Sequence, residues 1–102
     1  MTKEIASQIV VLFENCNQLK LLATSTPDYP PLRFFADQLY QGLNHLLLIQ
    51  NLQNFESSLS QIAIEIVDFQ THSSINLSTD VNKQIEKIKI YILEFQKTIE
   101  NE

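Results

Sequence analysis

Apolar side chains recur along this chain at alternating steps of three and four residues, and this spacing restricts its fold more than any other feature. Such steps return to one side of an α-helix, which has about 3.6 residues per turn, whereas a half-buried strand alternates with a period of about two. The first stretch with the helical spacing consists of Ile5, Ile9, Leu12, Cys16, Leu19 and Ala23. It predicts an amphipathic helix over about residues 3–24.

The same spacing returns in three further stretches, which predict helices over about residues 30–51, 55–72 and 79–101. Their inward-facing residues are Leu32, Phe35, Leu39, Gly42, Leu46 and Ile49; then Leu59, Ile62, Ile66 and Phe69; and finally Val81, Ile85, Ile88, Ile92, Phe95 and Ile99. Four helices of similar length in 102 residues predict a single all-α domain over residues 1–102, an antiparallel up-down four-helix bundle.

Clear local signals mark the start of the second and fourth helices. Pro30 and Pro31 are tolerated in a first helical turn, where the amides have no partner within the helix, so Asp28 is predicted to be the N-cap. Ser78 or Thr79 can cap the fourth helix, because a hydroxyl oxygen accepts a hydrogen bond from an amide of the first turn.

The junction between the second and third helices carries weaker signals. Residues 50–58 contain neither glycine nor proline, so nothing in the composition marks a stop. A turn near residues 51–54 is predicted, with Asn54 or Ser57 capping the third helix. One long bent helix is the alternative.

The charge distribution argues against nucleic acid as a partner and sets the fourth helix apart. Twelve acidic and seven basic residues give a net charge of −5, which repels phosphate backbones. No Lys or Arg lies between Phe34 and Asn82, whereas four of the seven lie between Lys83 and Lys97. The fourth helix is therefore the basic part of an acidic protein.

No set of residues in the sequence suggests catalysis, a metal site or a cofactor. His45, His72 and Cys16 are too far apart to supply the short ligand spacings of a metal site. Cys16 belongs to the inward face of the first helix, which predicts a structural thiol. The single glycine cannot form a phosphate-binding loop, so we expect a protein that is not an enzyme and carries no cofactor.

The residues before Ala6 lack a signal-peptide layout, and no apolar run approaches the roughly 18 to 20 residues of a membrane span. A cytoplasmic protein without a transmembrane segment is predicted.

The second and fourth helices offer candidate surfaces for a protein partner. The second helix has more apolar residues than its inward face needs, and the fourth places lysines beside a regular inward face. Burial against two neighbours and a solvated face are the alternative interpretations. The candidate partner-binding residues are Phe34, Tyr40, Leu47, Lys83, Lys87 and Tyr91.

The segment Ile75-Asn76-Leu77-Ser78-Thr79-Asp80, followed by Gln84-Ile85-Glu86-Lys87-Ile88, resembles a known family. It is similar to the apolar-x-apolar-Ser/Thr-x-acidic opening of the last helix in immunity proteins of pediocin-like (class IIa) bacteriocins, of the enterocin A immunity type. Residues 59–69 also resemble the third helix of these proteins, which fold as antiparallel four-helix bundles.

The resemblance implies a cytoplasmic, non-enzymatic binding protein that protects a bacterium against a membrane-permeabilising peptide. Such proteins act at the inner face of the membrane and associate with the sugar permease that binds the bacteriocin. Specificity would lie in residues 71–79 and on the exposed side of the fourth helix. Apart from the resemblance, four helices of this size are expected to be marginally stable, so a monomer or a weak dimer is expected.

A second function is open at this point. A small helical chaperone or adaptor for a secretion or flagellar protein would use the apolar second helix as its groove. It would form a stable complex with a cytoplasmic protein and leave bacteriocin sensitivity unchanged.

Overall fold

The computed structural model describes residues 3–25 and 28–101, and these are almost entirely helical. The helices are α1 (Lys3–Thr24), α2 (Pro30–Leu46), α3 (Leu52–Ser73) and α4 (Thr79–Glu100), with a short 3-10 turn at Ser74–Asn76. The predicted all-α class is confirmed. Residues 1, 2, 26, 27 and 102 lie outside the described part. These positions include both ends of the predicted domain and the middle of the connection between the first two helices.

Neighbouring helices of the bundle are antiparallel. Gln8, near the start of α1, donates a hydrogen bond of 2.9 Å to Thr98, near the end of α4. Further along the same pair, Gln84 of α4 donates to the backbone carbonyl of Asn15 at 2.8 Å. Because the residue numbers rise on one helix as they fall on the other, α1 and α4 are antiparallel.

The other neighbouring pairs show the same inverse order. The pairs that establish it are Lys20–Asp37 and Phe13–Tyr40 between α1 and α2, Phe35–Phe69 and Gly42–Ile62 between α2 and α3, and Gln70–Lys89 and Ser60–Gln96 between α3 and α4. Contacts between α1 and α4 close the ring. The antiparallel bundle predicted from the spacing is therefore confirmed.

The core lies along the axis of this ring. Every predicted inward-facing residue of α1 and α4 is buried, and so are Leu59, Ile62 and Ile66 of α3. The longest dimension is 41 Å, and helices of 22 residues reach about 33 Å at about 1.5 Å per residue, so the three longest helices run most of its length. Within residues 3–25 and 28–101, no helix combines the length and apolarity needed to cross a membrane.

The start of α2 corrects the predicted N-cap. Tyr29, and not Asp28, occupies the N-cap position, and no side chain caps the helix there. Pro30 and Pro31 fill the first two helical positions and have no amide hydrogen. The first amide that needs a partner is that of Leu32, which donates to the Tyr29 carbonyl at 3.1 Å, so a side-chain cap has little left to do.

The start of α4 agrees with its predicted cap. The hydroxyl of Ser78 accepts a hydrogen bond of 3.2 Å from the amide of Val81, and the Ser78 backbone is extended, as an N-cap residue requires. Asp80 places a negative charge in the first turn, near the positive end of the helix dipole.

The junction between α2 and α3 lies earlier than predicted, and the two helices are separate. α2 ends at Leu46, and the amides of residues 47–49 then bond three residues back in a tightened turn. Asn51 accepts a hydrogen bond of 3.1 Å from the amide of Asn54, so Asn51 caps α3 in place of the predicted Asn54 or Ser57. The bent-helix alternative is wrong, and so are the predicted end of the second helix at residue 51 and the predicted start of the third at residue 55.

Candidate binding surfaces

The thiol of Cys16 is buried in the core. Burial raises the pKa of the Cys16 thiol to about 12, which keeps it protonated and unreactive near neutral pH. Within residues 3–25 and 28–101, no group of three or more His, Cys, Asp or Glu side chains could hold a metal ion. The informative features are therefore the exposed apolar and charged surfaces.

The basic surface of α4 is partly neutralised within the bundle. Lys83 and Lys87 are exposed and line a shallow depression of about 500 Å³. Lys89 instead donates to Gln70 at 3.0 Å and to Glu86 at 3.2 Å. The pKa of Glu86 lies below its usual value, mainly because its carboxylate accepts the hydrogen bond from Lys89 and secondly because it accepts one from Gln70. Two lysines of this stretch are thus available to a partner, and a third serves the α3–α4 contact.

Tyr91 and Tyr40 are half-buried. Tyr91 packs against the core and lines a small depression on the α1 side of α4, away from the depression at Lys83. Tyr40 meets the ring of Phe13 edge to face, with centroids 5.4 Å apart, and the ammonium of Lys20 lies 4.5 Å from the centre of its ring. Tyr40 therefore joins α1 to α2, and Tyr91 lies beside α1.

Leu47 lies at the opposite end of α2 from its proline start. It is half exposed in the turn before α3, and two further leucines, Leu48 and Leu52, are exposed within five residues of it. A small apolar end therefore surrounds the α2–α3 turn. The predicted site residues consequently fall on several separate surfaces and do not converge on one site.

Phe34 lines a groove of about 510 Å³ between α2 and α3. The Phe34 side chain is 71% exposed. The rings of Phe35 and Phe69 are stacked in the floor, with centroids 4.0 Å apart and planes 3° apart. We call this concavity the α2–α3 groove; it is lined by Pro31, Phe34, Phe35, Gln38, Leu39, Glu65, Asp68, Phe69, His72 and Ser73.

The α3 edge of the groove carries its charge. Glu65 and Asp68 line this edge, as their spacing of three along a helix allows. The Nδ1 atom of His72 lies 2.7 Å from the backbone carbonyl of Asp68 and 3.9 Å from its carboxylate. The groove therefore combines an apolar floor with an acidic edge.

The connection that follows α3 starts at the end of this groove. The hydroxyl of Tyr29 donates a hydrogen bond of 2.9 Å to the buried hydroxyl of Ser73. Two residues later, Ile75 is 92% exposed, the most exposed large apolar side chain among the described residues. Leu77 packs back against the core. Ser73 and Leu77 are therefore both held against the bundle, whereas Ile75 between them contributes almost nothing to folding.

One apolar surface was missed by the sequence interpretation. Ile64 and Val67 of α3 and Ile90 and Leu93 of α4 are each between 49% and 61% exposed. They lie between two cross-helix hydrogen bonds, Lys89 to Gln70 and Gln96 to Ser60, so they occupy the same level of the α3–α4 face. The signal was present as pairs of apolar residues three apart outside the inward-facing stripe.

No family model, curated protein or solved structure matches this chain.

Proposed function

We propose that this chain is a non-enzymatic binding protein that makes a bacterium immune to a pediocin-like bacteriocin. It acts at the cytoplasmic side of the membrane permease to which the bacteriocin binds. The observation that carries the proposal is the exposure of Ile75 in the connection between α3 and α4. This is the segment to which the family resemblance assigns specificity.

Ile75 contributes almost nothing to folding, and its exposed side chain supports a binding role. Burying an isoleucine side chain is worth about 1.5 to 3 kcal/mol, and Ile75 leaves this free energy available to a partner. The surrounding backbone is held by the Tyr29–Ser73 hydrogen bond before it and by the Ser78 cap after it. A partner therefore loses little free energy in ordering this surface.

The first turns of α4 extend the proposed contact surface. Lys83 and Lys87 follow the Ser78 cap within nine residues and are exposed on the outer side of the helix. The chain as a whole has a net charge of −5, so it would repel most acidic proteins. The local positive charge of these two lysines would instead orient an acidic region of one partner against α4. The proposed surface is Ile75, Lys83 and Lys87.

The proposal is tested by expressing the chain in a bacteriocin-sensitive strain and challenging the cells with a panel of pediocin-like peptides. We expect the minimal inhibitory concentration of at least one peptide to rise by about tenfold or more, which is the effect of about 1.4 kcal/mol at the target. Exchanging residues 71–102 with those of an immunity protein of different specificity should transfer protection to the other peptide. Unchanged killing across the panel would contradict the proposal.

A chaperone or adaptor role is the second candidate, and the α2–α3 groove favours it. Phe34 is exposed at the edge of an apolar groove, as expected of a groove that holds an extended or helical segment of another protein. This role predicts that Phe34→Ala abolishes a stable complex with a cytoplasmic protein while bacteriocin sensitivity stays the same with or without the chain. A change in sensitivity on expression argues against it.

A further inference from the structure

We propose that the α2–α3 groove binds one short amphipathic helix of a partner protein, whose apolar stripe is flanked by Lys or Arg side chains. The inference names the chemistry of a partner and rests on the proposed function only for the premise that the chain is a binding protein. It adds a site on the face between α2 and α3 to the proposed surface at Ile75 and α4.

The length of the groove fits two turns of helix. On α2 its lining runs from Pro31 to Leu39, and on α3 from Glu65 to Ser73. Each run covers eight helical steps, or about 12 Å at about 1.5 Å per residue. Anchoring side chains at positions i, i+3, i+4 and i+7 of a bound helix span about 10.5 Å, so one such stripe fills the groove from end to end.

The floor of the groove provides the apolar contact. Phe35, Leu39 and Phe69 form it and are themselves largely buried, so they stay in place when a ligand enters. Phe34 lies at the edge with 71% of its side chain exposed and can cover an apolar side chain of the bound helix. A preformed floor with one exposed aromatic ring at its edge is typical of a site that accepts an anchor residue.

The edge of the groove determines the charge of its occupant. Glu65 and Asp68 line it, and no Lys or Arg is among its lining residues. Arg33, the basic residue within α2, lines a different depression on the α1 side of that helix. A bound helix with Lys or Arg beside its apolar stripe would therefore pair with two carboxylates, whereas an acidic helix would meet like charge.

The inference is tested by titrating the protein with three synthetic peptides of about 14 residues, or about four turns of helix. All three carry leucines at the same i, i+3, i+4 and i+7 positions, and their remaining positions are mainly lysine, glutamate or glutamine. We expect the lysine peptide to bind tightest and the glutamate peptide weakest. The largest amide shift changes in an NMR titration should lie in residues 31–39 and 65–73.

Two groove variants and matched controls locate the site. Phe34→Ala and the pair Glu65→Gln with Asp68→Asn should each weaken binding of the lysine peptide by about fivefold or more, because each removes part of the proposed contact. All three side chains are exposed, so these replacements should change the free energy of unfolding by less than about 0.5 kcal/mol. Leu48→Ala removes an equally exposed apolar residue, and Glu94→Gln with Glu100→Gln removes the same charge elsewhere. These controls should bind like the unmodified chain. Added salt should weaken the lysine peptide more than the glutamine peptide.

The contrary results are equally specific. Absence of lysine-peptide binding, equal binding of all three peptides, or shift changes that map to the α3–α4 face would overturn the inference. A dimer in sedimentation whose interface maps to the groove would also overturn it, because the occupant would then be a second copy. Loss of peptide binding with intact bacteriocin protection would reject the groove site alone, and intact peptide binding without protection would reject the immunity role alone.

Discussion

The hydroxyl of Tyr29 donates a hydrogen bond of 2.9 Å to the hydroxyl of Ser73, joining the residue before α2 to the last residue of α3. Ser73 is one of only two buried polar residues among those the structure describes. The bond lies where the α2–α3 groove ends and the connection bearing Ile75 begins. It therefore fixes the point at which the two proposed binding surfaces meet.

Replacing Tyr29 with Phe keeps the ring and removes this hydrogen bond. We expect the free energy of unfolding to fall by about 0.5 to 1.5 kcal/mol, because the buried Ser73 hydroxyl loses its partner. The double variant Tyr29→Phe with Ser73→Ala should lose less than the sum of the two single variants. Urea denaturation of all four proteins measures this coupling, and strictly additive losses would show that the bond contributes nothing.

The buried Cys16 makes stability depend on alkaline pH. Its folded-state pKa of about 12 lies above the value of about 8.5 for an exposed thiol, so the folded protein holds this proton more tightly than the unfolded chain does. The thiol's contribution is complete below about pH 8.5 and falls as pH rises towards 12, by up to about 1.4 kcal/mol per pH unit.

Cys16→Ala is the matched control for this alkaline effect. The variant keeps every lysine and tyrosine, whose titration affects both proteins alike. The difference in unfolding free energy between the two proteins should therefore shrink between about pH 9 and about pH 11. Parallel curves across that interval would mean that the Cys16 thiol ionises in the folded state as easily as in the unfolded state.

Removal of the Ser78 cap should destabilise α4. Ser78→Ala leaves the amide of Val81 without its side-chain acceptor, and we expect a loss of about 1 kcal/mol. Ser57→Ala provides a control, because Ser57 is exposed within α3 and its replacement should change stability by less than about 0.5 kcal/mol. Thermal unfolding followed by circular dichroism compares the two, and equal melting temperatures would show that the cap is not needed.

Gly42 is a position where a methyl group should stabilise the bundle. A Cβ atom there would lie 3.4 Å from Cδ1 and 3.5 Å from Cγ1 of Ile62, which is ordinary van der Waals contact. Alanine is favoured over glycine within a helix by about 1 kcal/mol, so Gly42→Ala should raise the melting temperature. Gly42→Leu should lower it, because the added atoms overpack this contact. A fall with alanine would mean that the added methyl group does not fit against Ile62.

Hydrophobic spacing was sufficient to predict the four helices because each one buries a continuous stripe. In α4 the residues from Val81 to Ile99 repeat so regularly that all six predicted inward-facing positions are buried. The end of α2 could not be located in this way. It is made by backbone hydrogen bonds three residues back after Leu46 and by the Asn51 cap, and neither needs a glycine or a proline.

The sequence was less informative about surfaces, since a helical stripe does not reveal which neighbour covers a residue beside it. The spacing places Phe34 outside the inward face of the second helix, and Phe34 is exposed. Tyr40 was singled out on the same grounds, but it packs against Phe13 of α1. The spacing of Glu65 and Asp68 was visible, yet their position beside Phe69 depends on how α2 packs against α3.

The most direct test of the proposed immunity role is the protection of a sensitive strain by the chain with Ile75→Asp. Because Ile75 is 92% exposed, the variant should fold normally while losing about tenfold or more in protection. Leu48→Asp, at the opposite end of the bundle and 77% exposed, should protect as well as the unmodified chain. Equal protection by both variants, or no protection by the unmodified chain, would contradict recognition through the α3–α4 connection.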